Sequence, residues 1–107
     1  MEKYHSGNSL KTAQAYLARY FSSPGTYTLG RMHDLLAHLG NPQHTVPVIH
    51  VGGTAGKGST AYLTASILEH SGYQVGLYTS PHLVSITERI MINRTAISDS
   101  EFVRTLT

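Results

Sequence analysis

At 107 residues, with eight Lys and Arg against six Asp and Glu, the chain suits one small domain of formal charge +2 and has no long basic run. That balance gives nucleic-acid binding no support, while the slight basicity suits anionic substrates. Cysteine is absent, which excludes disulfides and cysteine-ligated zinc, and no apolar stretch nears the ~20 residues of a membrane-spanning helix.

Met1-Glu-Lys-Tyr-His-Ser6 lacks the apolar core of a signal peptide, so the cytoplasm is the expected compartment. Asn8 or Ser9 can cap a helix whose apolar residues, Leu10, Ala13, Tyr16, Leu17, Tyr20 and Phe21, fall on one face. Such a stripe is packing. Ser22-Ser-Pro-Gly25 breaks it, because proline and glycine continue a helix only at a cost. After the link Thr26–Arg31, a second helix carries Met32, Leu35, Leu36 and Leu39 on one stripe and ends at Gly40, with Pro42 just beyond.

Val46 to Val51 is a short β-branched run interrupted only by Pro47, the pattern of a buried parallel strand. Gly52, Gly53, Gly56 and Gly58 follow at once, and a helix is expected to start near Lys57. Glycines let the backbone turn sharply and come close to a ligand, so that successive N–H groups can point at one anion. The helix brings the positive end of its dipole to the same point. The stretch Gly53, Thr54, Ala55, Gly56, Lys57, Gly58, Ser59, Thr60 therefore reads as a phosphate cradle. Lys57 supplies a full charge for the outer phosphates, and Ser59 or Thr60 a hydroxyl for Mg²⁺. The strict P-loop pattern is met only in part: Val51 stands where the first glycine should be, and Gly58 separates Lys57 from Ser59. The order of strand, glycine turn, lysine and helix is what supports the reading. The dinucleotide fingerprint is absent, so NAD and FAD are not expected.

Ala61, Leu63, Ala65, Ile67 and Leu68 make the next helix apolar enough to be covered on more than one side, and Gly72 ends it. Gln74 to Thr79 is the second expected strand, so Val46–Thr79 would form one right-handed βαβ unit. Ligands of such sheets collect at the carboxyl ends of the strands, which is where Thr79, Ser80 and His82 emerge. From the residues alone, Ser80 before Pro81 can equally start a turn, and His82 can contact phosphate or cap a loop. Leu83 onward is a loop, then Ile90-Met-Ile-Asn93 a short strand turning at Asn93-Arg94 toward Thr95-Ala-Ile97. Ser98-Asp-Ser-Glu101 is a capping box opening a helix with Phe102, Val103 and Leu106 as its first apolar residues. His50 reads as structural, and the histidines show no zinc spacing, His33 and His38 being five apart.

His50-Val-Gly-Gly-Thr-Ala-Gly-Lys-Gly-Ser-Thr60, followed by Tyr78-Thr-Ser-Pro-His-Leu83 and Glu88-Arg-Ile90, closely resembles the amino-terminal part of folylpolyglutamate synthase and its bifunctional dihydrofolate synthase relatives, which belong with the Mur ligases. The resemblance runs from Leu29-Gly-Arg-Met32 through Leu39-Gly-Asn-Pro42 to Ser98–Val103. Two departures are Ala55, where the family usually carries Asn, and Gly52, where Ala is more usual; Ala55 lacks a hydrogen-bonding side chain beside the phosphates. The resemblance implies an α/β fold, a P-loop NTPase-like parallel sheet flanked by helices of the Mur ligase central-domain type, here incomplete. Residues 1–107 would be the amino-terminal part of the ATP-binding domain, with the rest of that domain and a carboxy-terminal domain lying outside this chain.

The resemblance further implies a monomeric ligase that uses ATP and Mg²⁺ to join L-glutamate to folate or dihydropteroate through an acyl phosphate, with no nucleic-acid or membrane partner. By the same resemblance Lys57 acts catalytically on the phosphates, Ser59 and Ser80 are magnesium ligands, and Arg31 lies near the pterin side. His82, Glu88 and Arg89 stand as further substrate-contact candidates. The alternatives for Arg31, Glu88 and Arg89 are solvated surface charges. Rival readings are a Mur-type peptidoglycan ligase, a P-loop kinase and a non-catalytic nucleotide-binding module. Thr-Ser-Pro-His-Leu83 favours the folate branch, and Gly58 argues against a kinase. Alone, these residues are expected to bind phosphate at most and to lack ligase activity.

Overall fold

A computed structural model describes residues 9–21 and 28–106, without the side chains of Tyr20 and Phe21. Asn8, the expected break at 22–25, residues 26 and 27, and Thr107 lie outside the described residues. The elements are α1 (Leu10–Phe21), α2 (Leu29–His38), α3 (Lys57–His70), β1 (Gly76–Tyr78), β2 (Ile90–Ile92), β3 (Thr95–Ala96) and α4 (Asp99–Arg104). Short 3-10 turns occupy Pro42–His44 and Ile86–Arg89.

Helix ends follow local chemistry. The Ser9 hydroxyl accepts from the Thr12 N–H at 3.3 Å and opens α1. Ser98 and Glu101 form the expected capping box at α4. The stops of α2 and α3 are alike: Asn41 N–H reaches back to Leu36 O and Gly40 N–H to Ala37 O, while Tyr73 N–H reaches Leu68 O and Gly72 N–H reaches Glu69 O. Both are Schellman closures, which satisfy carbonyls that would otherwise be orphaned at a helix end.

The core lies where the two ends of the described chain meet. Ala13 of α1, Ile86 and the α4 residues Phe102 and Val103 are buried, with Leu10, Leu17, Ile90, Ile97 and Leu106 packed around them. Leu10, Ala13 and Leu17 form the stripe expected from their spacing. By contrast α2 buries no residue, and Leu29, Met32, Leu35 and Leu39 are exposed.

The sheet differs from the expected parallel unit. Its order is β1-β2-β3 and both pairings are antiparallel, Leu77 facing Met91 and Met91 facing Ala96. The segment 46–51 forms no strand and pairs with none among the described residues, and Val46, Val48 and Ile49 are exposed. The physical reason is that a β-branched run can only be a strand if another edge meets it. β1 pairs with the nearby β2, because closing a short loop costs less entropy than closing a long one. Pro47 also removes a ladder donor from the earlier segment. The β2–β3 link is a two-residue turn with Asn93 and Arg94 at φ 47° and 63°, the left-handed pair that suits the twist of a hairpin. The Asn93 side-chain oxygen accepts from Val75 N–H, and Arg94 pairs with Glu69 at 2.6 Å, tying the hairpin to α3. Helix α3 packs on β1 and buries Ala65; Leu63 and Ile67 stay exposed, so among the described residues it is covered on one side only.

Candidate functional site

The phosphate cradle reads from the backbone upward. Gly53 and Gly56 adopt positive φ, 150° and 73°, and Gly56 is the residue that turns the chain into α3 at Lys57. The left-handed conformation at Gly56 is one that a side chain would strain. The first amide of the helix taken by the chain itself is that of Thr60, which donates to Gly56 O at 3.0 Å. The N–H groups of Lys57, Gly58 and Ser59 precede it with no hydrogen bond among the described residues. No carboxylate stands in the first turn and no side chain caps it, so the positive end of the helix is uncompensated. A Cβ built on Gly52, Gly56 or Gly58 meets open space. These are the features an anion needs: free donors converging at a helix start, with room to approach.

Lys57 closes the loop. Its Nζ donates to Gly53 O at 2.7 Å, so the exposed ammonium lies across the glycine turn. The hydroxyls of Ser59 and Thr60 are exposed and unengaged within the described residues. They are hard oxygen donors of the kind Mg²⁺ takes. Ala55 leaves its loop position without a side-chain donor.

Ser80 stands two residues beyond β1, in the loop that leaves the carboxyl end of that strand. Ser80 is exposed, and the Ser80–Pro81 bond is cis.

The loop after Ser80 is braced. The Glu88 carboxylate accepts from the N–H groups of Leu83 at 3.0 Å, Val84 at 3.2 Å and Ser85 at 2.9 Å. Ser85 and Glu88 form a second capping box, around the Ile86–Arg89 turn. The bonds from Ser85 and then Leu83 hold the Glu88 carboxyl below its ordinary range. Arg89 is engaged with His82, its Nε donating to the ring Nδ1 at 2.9 Å. Glu88 thus spends its oxygens on its own loop, whereas His82 and Arg89 are joined to each other. Arg31 is exposed in the first turn of α2, with no hydrogen bond or ion pair to the cradle among the described residues; His50 is likewise exposed. The Ser85 box was legible in Ser85-Ile-Thr-Glu88, the same pattern as at Ser98, although the apolar run that follows, Ile90-Met-Ile92, is as short as a strand and does not advertise a helix.

No family model matches the chain. A dihydrofolate synthase/folylpolyglutamate synthase of Bacillus subtilis (strain 168) is 47% identical over 74 residues, covering 69% of this chain and 17% of that protein. A Mycobacterium tuberculosis folylpolyglutamate synthase complexed with ADP and AMPPCP superposes with a TM-score of 0.82 at 34% identity, over 90% of this chain and 20% of that one. A folylpolyglutamate synthase complexed with AMPPCP and folate gives 0.80 at 42% identity, over 92% and 24%. This chain therefore spans less than a quarter of the length of each of the three.

Proposed function

In sequence and fold the chain belongs to the folylpolyglutamate synthase/dihydrofolate synthase family, and on that premise we propose that its residues form the ATP-phosphate site of a ligase adding L-glutamate to folate or dihydropteroate. The observation that carries the proposal is the uncompensated start of α3, with free N–H groups at Lys57, Gly58 and Ser59 and the Lys57 ammonium lying across the Gly53 carbonyl. Relatives complexed with ADP, AMPPCP and folate support the same ligand classes.

The reaction moves the γ-phosphoryl group of ATP to a substrate carboxylate, releasing ADP and leaving an acyl phosphate; the glutamate amine then attacks that carbonyl, forms the amide and expels phosphate. The chain's residues place and neutralise. The cradle from Gly53 to Thr60 would hold the phosphates by backbone N–H groups. Lys57 would leave Gly53 O for a phosphoryl oxygen, exchanging a neutral acceptor for an anionic one. Bound magnesium would screen phosphate charge, with the Ser59 and Ser80 hydroxyls as its protein donors. Arg31, His82 and Arg89 remain substrate-contact assignments within this proposal, and Glu88 serves as the brace of the loop that carries His82.

Lys57→Ala in the protein that carries these residues tests it. Loss of one well-placed donor should cost about 2.7–4 kcal/mol of transition-state stabilisation, read as kcat/KM for folate-dependent ATP hydrolysis. Near-normal turnover at saturating ATP would remove Lys57 from this role. Activity on a muramyl peptide in place of folates would overturn the substrate assignment.

A further inference from the structure

Two anchors fix the chain as it leaves β1. The Thr79 N–H donates to Arg89 O at 3.0 Å, and the Glu88 carboxylate gathers the amides of Leu83, Val84 and Ser85. His82 lies between these anchors, half-buried, with Arg89 Nε donating to its Nδ1 at 2.9 Å. The backbone of Arg89 is thus pinned next to the residue before Ser80, and its side chain reaches back to the residue two beyond it.

This contact settles the imidazole's tautomer. An arginine Nε carries a hydrogen and no lone pair, so it can only donate. The ring nitrogen facing it must therefore be bare. In a neutral imidazole the proton then sits on Nε2, and Nε2 has no hydrogen-bond partner among the described residues. We propose that Arg89 is a positioning residue that locks His82 as the Nε2–H tautomer, so that His82 presents a neutral hydrogen-bond donor to a phosphoryl oxygen of the nucleotide at the carboxyl end of β1. In the nucleotide reading above, positive charge for the phosphates is already supplied by Lys57 and the start of α3. A fixed neutral donor adds direction without another cation, which is how preorganised dipoles assist a reaction that develops charge.

The ligand half of this inference rests on the nucleotide reading above; the tautomer half does not. The two halves are measured separately on the full chain. Long-range ¹H–¹⁵N correlation spectra of the His82 ring should show a single protonated nitrogen, Nε2, in the wild type. Arg89→Lys and Arg89→Gln, which lose the donating Nε, should give an averaged mixture of tautomers. A wild-type ring protonated at Nδ1, or already averaged, overturns the lock.

Binding of AMPPCP with Mg²⁺ reads the donor. His82→Gln, whose amide nitrogen sits at the ε position, should bind within about threefold of wild type. His82→Asn, whose nitrogen sits at the δ position, and His82→Leu should bind roughly tenfold more weakly, the scale of one hydrogen bond to a charged group. Equal affinity in all three variants overturns the donor role. A wild type that does not bind AMPPCP overturns both the nucleotide reading and the donor role, while the ring spectra still decide the lock.

Discussion

Glu88 lies at the surface and still shapes the loop after β1, since one carboxylate holds three successive amides. The ionised form accepts all three more strongly than the protonated one. The bonds from Ser85 and Leu83 hold its pKa below the ordinary carboxylate range, and at Glu101 the Ser98 N–H and hydroxyl do the same. A depressed folded-state pKa means that the unfolded chain takes up the proton first as pH falls. The stability these groups contribute is therefore complete above the unfolded carboxylate value and is lost as pH drops through the lower folded values. Melting temperature should decline across that acid window. The Glu88→Gln, Glu101→Gln double variant should start lower at neutral pH and show a flatter decline. A double variant that keeps the wild-type slope would show that these two carboxylates do not carry the linkage.

The elements separate glycines that serve the backbone from glycines that serve a ligand. Gly72 closes α3 at φ +91°, with nothing within 4 Å of an added Cβ, so alanine there meets no clash but must adopt a left-handed backbone. Gly72→Ala should cost about 1 kcal/mol in denaturant unfolding. Gly58 sits in the first turn of α3 without positive φ, again with open space where a Cβ would be. Alanine there should stabilise the chain by about 0.5–1 kcal/mol through helix propensity. The same Cβ would intrude where phosphate approaches, so Gly58→Ala should bind AMPPCP more weakly while unfolding later. Unchanged AMPPCP affinity would mean that the amide of Gly58 faces no ligand. The caps behind these arguments were readable from the sequence because their chemistry is local: Ser98-x-x-Glu101, and glycine at the stops of α2 and α3. Pairing was not readable. Nothing in Val46–Val51 or in Gln74–Thr79 states which edge each will meet, and the structure joins β1 to the hairpin that follows it.

For the molecule as a whole, stabilising contacts and the candidate chemistry sit apart. Ala13, Ile86, Phe102 and Val103 bring α1, the Ile86–Arg89 turn and α4 together, while every residue from Gly52 to Thr60 is exposed. The phosphate cradle was legible because a glycine-rich turn into a helix is a contiguous pattern; the core was less so, because α1 and α4 meet across most of the chain. This division predicts how the molecule opens. Amides with ladder or helix partners and buried neighbours exchange hydrogen slowly, and those lacking both exchange near the unfolded rate. The N–H groups of β2 and those of Phe102 and Thr105 should therefore be the slow class. Those of residues 48–53, which have no backbone partner among the described residues, should be fast. AMPPCP should then slow the amides of Lys57, Gly58 and Ser59 and leave Phe102 unchanged, because it occupies donors at the start of α3 without touching the core. Slow exchange at 48–51 in the free chain would show that this run has found a sheet edge. Protection spreading equally over all elements on AMPPCP addition would show that the cradle and the core open as one cooperative unit.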